Sequence, residues 1–289
     1  MNESNLIRVY EGNSMAEIYH KYRPSYPPIV PQAIMEYLSE KVGSGPQSKK
    51  FEKMLDVGCG TGQSTFIFAP FFRSILGIDI SEAQIEKARE INETENISFQ
   101  LVNDHRFPVE DNSIDLVGCG TAAHWLNMPK FLEECKRVLK PNGCCAIYVP
   151  ALKGISNVEQ EGAEKPELHS SLIDIKDIVY RFFQNVHAHD RNYECYNGYI
   201  SIYEEIQQDN KQWLKRLKHE MLLTLPQFKA LGSSIGDYHI FMEKEKPSID
   251  PLDVFASDIK RALGRENESD DDVKLVLKLE YKVIVCTKQ

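Results

Sequence analysis

Asp56, Gly58, Gly60 and Gly62 occupy alternate positions of Met54-Leu55-Asp56-Val57-Gly58-Cys59-Gly60-Thr61-Gly62-Gln63, a short apolar run that ends in an acid and three glycines. Glycines at this spacing permit a tight turn in which backbone approaches a ligand with no Cβ in the way. A helix starting behind the turn would aim its first N–H groups and positive dipole end at that ligand. The spacing separates cofactor classes. A dinucleotide fingerprint places its third glycine three residues after the second, whereas Gly62 follows Gly60 by two, which disfavours a dehydrogenase. A P-loop needs Gly-Lys-Ser/Thr, which is absent. A second acid, Asp79, stands 23 positions after Asp56 at the end of Ser74-Ile75-Leu76-Gly77-Ile78, where an α/β nucleotide fold places a carboxylate for ribose hydroxyls. Further along, His124-Trp125 offers an imidazole whose ordinary pKa suits a base, beside a large aromatic wall. No His, Cys or carboxylate cluster has metal-ligand spacing, so no metal is expected.

The elements that must carry these residues are legible from periodicity. Ile97 to Val102, Ser113 to Val117 and Cys144 to Val149 read as strands, and Gln63 to Phe72 as a buried helix. Ser81 with Gln84 suggests a capped helix to Glu90. Phe131, Leu132, Cys135, Val138 and Leu139 mark another helix, and Val30, Ile34, Tyr37 and Leu38 an earlier one with Gly43 at its exit. Such alternation gives a parallel sheet covered on both faces, with ligands at the carboxyl ends of the strands. The first fifteen residues read as polar and mobile, followed by an aromatic, proline-containing segment from Ala16 to Pro27 that should cover something. Between Leu152 and Ile249 the pattern is weaker: Ile173 to Phe183 suits a helix, and Trp213 to Leu225 leans to a strand. Asp250-Pro251 opens a helix ending at Gly264, Glu266 to Asp272 reads as a solvated loop, and Val273 to Val285 alternates as an antiparallel edge strand.

Composition bounds the function. A chain of 289 residues with 42% hydrophobic residues can fill a substantial core. Its 43 acidic and 34 basic residues leave a formal charge of -9, which argues against non-specific nucleic-acid binding. No apolar run approaches the about 20 residues of a membrane span, and no signal peptide is evident at Met1-Asn2-Glu3. Seven cysteines without a C-x-x-C pair fit a reducing compartment, so a cytoplasmic protein is expected. Adjacent Cys144 and Cys145 read as small core residues.

The combination of Tyr19-x-x-x-Arg23-Pro24-Ser25-Tyr26-Pro27, the glycine loop, Asp79, Asn103-Asp104-His105 and Ala123-His124-Trp125 resembles the class I S-adenosylmethionine (AdoMet) dependent methyltransferases. Within them it looks like the trans-aconitate methyltransferase group. Insect juvenile-hormone acid methyltransferases share the His-Trp pair but lack the Arg-Pro-x-Tyr-Pro segment. The resemblance runs from Tyr19 to Thr287, with its specific motifs between Tyr19 and Tyr148. It implies a Rossmann-like α/β fold with a mostly parallel seven-stranded sheet, helices on both faces and an antiparallel C-terminal edge. One methyltransferase domain over 1–289 would comprise an N-terminal cover (1–50), a cofactor core (51–150), an acceptor-site cap (151–250) and a C-terminal helix and edge strand (251–289).

By the same resemblance, AdoMet would contact Gly58, Gly60 and Gly62 through the loop, Asp79 and its neighbour Ile80 at the ribose, Asp104 and His105 at the adenine, and Thr121 after the fourth strand. Asp56 would fix the loop or meet the ammonium group, and Tyr19 and Arg23 would close over the cofactor, Arg23 facing its carboxylate bidentately. His124 and Trp125 would form the catalytic pair. Carboxylate methylation needs no base, so His124 would orient the acceptor, a small carboxylic acid. The alternatives are N- or C-methylation of another metabolite, and a non-catalytic AdoMet-binding interaction protein. Lys153, Arg181, Arg191, Tyr193, Tyr196, Tyr199 and Tyr203 are available in the cap, with surface positions as their default. Oligomeric state is not legible.

Overall fold

The computed structural model describes residues 12–43, 50–157, 175–187, 194–195, 197–214 and 216–288. Its centre is one sheet of eight strands: β1 (Phe51–Val57), β2 (Phe72–Asp79), β3 (Ile97–Leu101), β4 (Ile114–Gly120), β5 (Leu139–Asn157), β6 (Gln212–Trp213), β7 (Leu217–Thr224) and β8 (Lys274–Thr287). The order is β3-β2-β1-β4-β5-β8-β6, with β7 also paired to β8. β1 to β5 run parallel, and β8 runs antiparallel to β5, β6 and β7. The antiparallel edge is thus three strands, and β8 is covered rather than exposed. The strand order reverses between β1 and β4, the kind of switch point at which open α/β sheets bind ligands.

Helices cover both faces because the central strands are apolar on both. α1 (Asn13–Tyr22) and α2 (Ile29–Val42) precede the sheet; α2 buries Val30, Ile34 and Leu38 with Phe68, Phe72 and Tyr148. Gly43 ends α2 in the left-handed conformation, φ 71°, as its place at the helix exit predicts. On the other face Met128, Phe131, Cys135 and Val138, spaced three and four apart on α5 (Met128–Val138), pack with Leu55, Val117 and Ile147. α3 (Gln63–Phe66) and α4 (Glu82–Glu90) follow β1 and β2; Ser81 Oγ caps α4 by accepting from Gln84 N. Beyond these, α6 (Ile175–Val186), α7 (Ile200–Glu205), α8 (Leu225–Ser233), α9 (Gly236–Glu245) and α10 (Pro251–Ala262) complete the described helices. A third apolar cluster joins Phe182, Phe228 and Phe255 to Ile155 and Leu277, on the outer halves of β5 and β8.

Several expectations change. The helix predicted over Gln63 to Phe72 stops at Phe66, and the chain continues in turns to β2. Pro70 lacks an amide donor and disfavours helical backbone at Ala69, so the last bonds there are the tighter kind, Ala69 N to Phe66 O and Phe71 N to Phe68 O. Asn13 to Met15, expected to be mobile, belong to α1, where Met15 and Ala16 are buried; residues 1–11 lie outside the described residues. β5 is far longer than Cys144 to Val149, since pairing with β8 extends from Cys144 opposite Thr287 to Asn157 opposite Leu275. The weak strand reading at Trp213 to Leu225 corresponds to β6 and β7. Tyr199 is fully buried rather than at the surface, and Tyr203 stacks on Trp213 with centroids 4.7 Å apart. Arg191, Tyr193 and Tyr196 lie outside the described residues. Cys144 and Cys145 are core residues as expected. No helix among the described residues is long and apolar enough to cross a membrane.

Candidate active site

The loop after β1 is shaped by its own backbone. Gly58 has φ 69°, and a Cβ there would fall 2.5 Å from the Ala122 Cβ, so the chains leaving β1 and β4 approach through the missing side chain. Gly58 N and Cys59 N donate to Ile78 O at 2.8 and 3.1 Å. Asp79 ties the loops after β1 and β2 together: Gly60 N donates to one carboxylate oxygen and Ser81 N to the other, both at 2.9 Å. Ile80, half-buried, continues from it.

Asp56 is completely buried at the end of β1. One carboxylate oxygen accepts from Ser64 Oγ at 2.6 Å and Thr65 Oγ1 at 2.7 Å, which locks the first turn of α3 to the strand. The other has no hydrogen-bond partner among the described residues. Burial raises its pKa from 3.8 to about 6, against the lowering effect of the two hydroxyls and with a further upward push from Asp79. A buried oxygen without a donor is where a cationic ligand group would be held.

The N-terminal segment lies over this frame. Tyr19 comes within 3.9 Å of the point where a Gly60 Cβ would stand, and the Arg23 guanidinium lies 5.3 Å from the Tyr19 ring centroid. Tyr26 meets Thr121 through their hydroxyls at 2.6 Å, just after β4. Thr121 has φ 53° and donates its N–H to Tyr148 O. Asp104 is exposed and closes its own turn by accepting from Arg106 N, with His105 half-buried beside it.

His124 sits in a single 3₁₀ turn, Ala123–Trp125, with 8% of its surface exposed and the Trp125 ring 4.8 Å away. Its Nδ1 is 2.8 Å from the Tyr199 hydroxyl. The Cys195 sulfur stands 3.1 Å from Nδ1 and 3.4 Å from Nε2. Burial pushes the Cys195 thiol up to about 12 and the Tyr199 phenol well above its ordinary range, so both stay protonated near neutrality. His124 also lines a cavity of about 950 Å³, with Tyr19, Arg23, Tyr26, Gln63, Thr121 and Cys195 at the same end.

The structure therefore gathers Gly58, Gly60, Gly62 and Asp56 at the end of β1 with Asp79 at the adjacent end of β2, and places Tyr19, Arg23, Thr121 and His124 together on the cavity. Asp104 and His105 follow β3, whose Leu101 pairs with Asp79; like those glycines, Asp56 and Asp79, they are not in the cavity lining. No sequence pattern marks Cys195, and the sequence offers Tyr199 only as an available cap residue at the surface; they lie 71 and 75 residues from His124 in a stretch without clear period. Among the described residues no group of three or more His, Cys, Asp or Glu side chains could hold a metal.

Residues 55–147 match a family model described as a methyltransferase domain. A Dictyostelium discoideum protein named as a methyltransferase is 32% identical over 144 residues, half of each chain. A Saccharomyces cerevisiae protein named as the S-adenosylmethionine-dependent methyltransferase CRG1 is 22% identical over 307 aligned positions, 94% of each chain. Among solved structures, a type II methyltransferase from Anaeromyxobacter dehalogenans superposes with a TM-score of 0.67 at 20% identity, covering 92% of this chain and 98% of its own, a likeness of fold.

Proposed function

We propose that this chain, which carries a class I methyltransferase domain whose methyl donor is S-adenosylmethionine, esterifies the carboxylate of a small organic acid. The cradle fits the donor: glycines where a side chain would clash, and a buried Asp56 oxygen without a partner, suited to the ammonium group. Asp79, held by a backbone amide on each carboxylate oxygen, would accept from the ribose hydroxyls. Asp104 and His105 would bound the adenine, Ile80 the ribose side, and Tyr19, Arg23 and Thr121 the methionine end. In this reading residues 51–150 hold the donor, 1–50 close over it, and 151–250 with 251–289 enclose the acceptor.

Bound in this way, the donor supplies an activated methyl group with a neutral thioether as leaving group. The chain's residues supply alignment and exclusion of water. The carrying observation is the bond from Tyr199 to His124 Nδ1, 2.8 Å long, made by a phenol that burial keeps protonated. A protonated phenol can donate to Nδ1; in this reading it does, the imidazole proton resides on Nε2, and His124 serves as a donor rather than a base. Besides His124, the described lining includes the polar groups of Arg23, Tyr19, Tyr26, Gln63, Thr121, Cys195 and Asn197; the one acid in the described lining is Asp177, on α6. An acceptor that arrives as a carboxylate needs donors and no base. Trp125, packed on His124, would hold the imidazole plane.

Incubation of the purified chain with methyl-labelled AdoMet and a panel of carboxylic acids tests this. The expected product releases labelled methanol in mild alkali, as esters do and N- or C-methyl products do not. Alkali-stable label, or none with any acid, sinks the reading.

A further inference from the structure

We infer that the acceptor is an acid with a long apolar body and a single anionic head, not a compact polycarboxylate; this rests on the carboxylate reading above and narrows it. The length of the cavity is the first argument. Val149, Pro150, Leu152, Gly154 and Ile155 all line it along β5, and at about 3.3 Å per residue that span is roughly 20 Å. Leu277, Leu279 and Tyr281, on one face of β8, line it over a parallel stretch. The second argument is its wall. Away from Arg23 and His124 the lining is mostly apolar, with Val179, Phe182, Phe228, Leu231 and Ile235 beside the polar Asp177, Gln184 and His187. Apolar surface of this extent gains stability from covering hydrocarbon, and gives nothing to a second or third carboxylate.

Charge supplies the third argument. Apart from Arg23, the cationic side chains in the described lining are Lys153 and His187. Lys153 Nζ faces Glu280 at 3.6 Å and His187 Nδ1 faces Asp237 at 3.7 Å, while Asp177 adds a further negative charge to the lining. Among the described lining residues, therefore, each cation beyond Arg23 faces an acid, which leaves little net attraction for a polyanion. At the other end His124, read above as a donor, would meet one anionic head. One charged head at His124 and a hydrocarbon tail toward Phe182 and Phe228 match both ends.

Isothermal titration of the full chain saturated with S-adenosylhomocysteine, using dodecanoate, dodecylamine and tricarballylate as probes, decides the matter. Dodecanoate should bind at least tenfold more tightly than either other probe. Leu231→Trp or Leu279→Trp, which fill the apolar end, should each weaken dodecanoate more than tenfold while leaving S-adenosylhomocysteine affinity intact, which also certifies their folding. Preferred binding of tricarballylate, or dodecanoate binding that both fillings leave unchanged, overturns the inference. Preferred binding of dodecylamine that the fillings abolish overturns the anionic head, and the esterification reading with it, while upholding the apolar body.

Discussion

Tyr199 and His124 stand 75 residues apart in the chain, yet the fully buried phenol lies 2.8 Å from the imidazole Nδ1. Removing only that hydroxyl in Tyr199→Phe frees the imidazole to rotate and to change tautomer. Turnover should fall about 10- to 100-fold, the scale of a lost orienting bond, with S-adenosylhomocysteine affinity unchanged. Unaltered kcat would show that His124 needs no orientation. The pH dependence adds a second readout. The acceptor reading has wild-type kcat flat from about pH 6 to 8, whereas a base would impose a rise near the ordinary histidine pKa of about 6.5.

Asp79 joins two loops through Gly60 N and Ser81 N, so its loss acts on cofactor and scaffold together. Asp79→Ala should abolish measurable S-adenosylhomocysteine binding by titration calorimetry and cost about 1–3 kcal/mol of stability for the unpaired amides. NADH should bind neither protein. Retained S-adenosylhomocysteine affinity in the variant would remove Asp79 from the site.

Asp56 predicts a pH signature. Its folded pKa of about 6 lies above the ordinary 3.8, so the folded chain holds the proton more tightly than the unfolded chain. The associated stability is full below about pH 4, falls as pH rises through about 6, and amounts to about 3 kcal/mol at about 1.4 kcal/mol per unit. Asp56→Asn removes the titration while keeping an oxygen for Ser64 and Thr65. In urea denaturation the variant should therefore gain on the wild type between pH 4 and 7, by up to about 3 kcal/mol. A stability difference that is constant across that window would count against a buried, titrating Asp56.

Gly58 combines a left-handed backbone with contact against Ala122. Gly58→Ala should destabilise by about 1–3 kcal/mol through strain and overpacking, and weaken cofactor binding with it. Gly43→Ala is the comparison: its φ is also positive, 71°, but a Cβ there meets nothing within 4 Å. Thermal denaturation should rank Gly58→Ala as the more damaging. The reverse order would show that the approach to Ala122 relaxes freely.

Much of this arrangement was legible in short stretches. Gly58, Gly60, Gly62 and Asp79 announce themselves because a turn that brings backbone to a ligand demands local residue types at fixed spacing. α2 and α5 were readable from apolar residues three and four apart. The over-long helix at Gln63 to Phe72 arose from giving an apolar run more weight than Pro70. Trp213 to Leu225 fits helical and strand periods alike, and only pairing with β8 selects the strand.

The sequence by itself determined the cofactor half: strand, glycine turn and acid are neighbours in the chain, so their chemistry is encoded locally and survives reading one residue at a time. The tertiary structure alone decided the acceptor half. β5 reaches to Asn157 only because residues 275 to 287 of β8 pair with it, and the cavity beside them exists only once the cap packs there. His124 gains its partners, Tyr199 and Cys195, by the same route. Contacts between residues so far apart depend on the packing of the whole chain, and no local pattern records them.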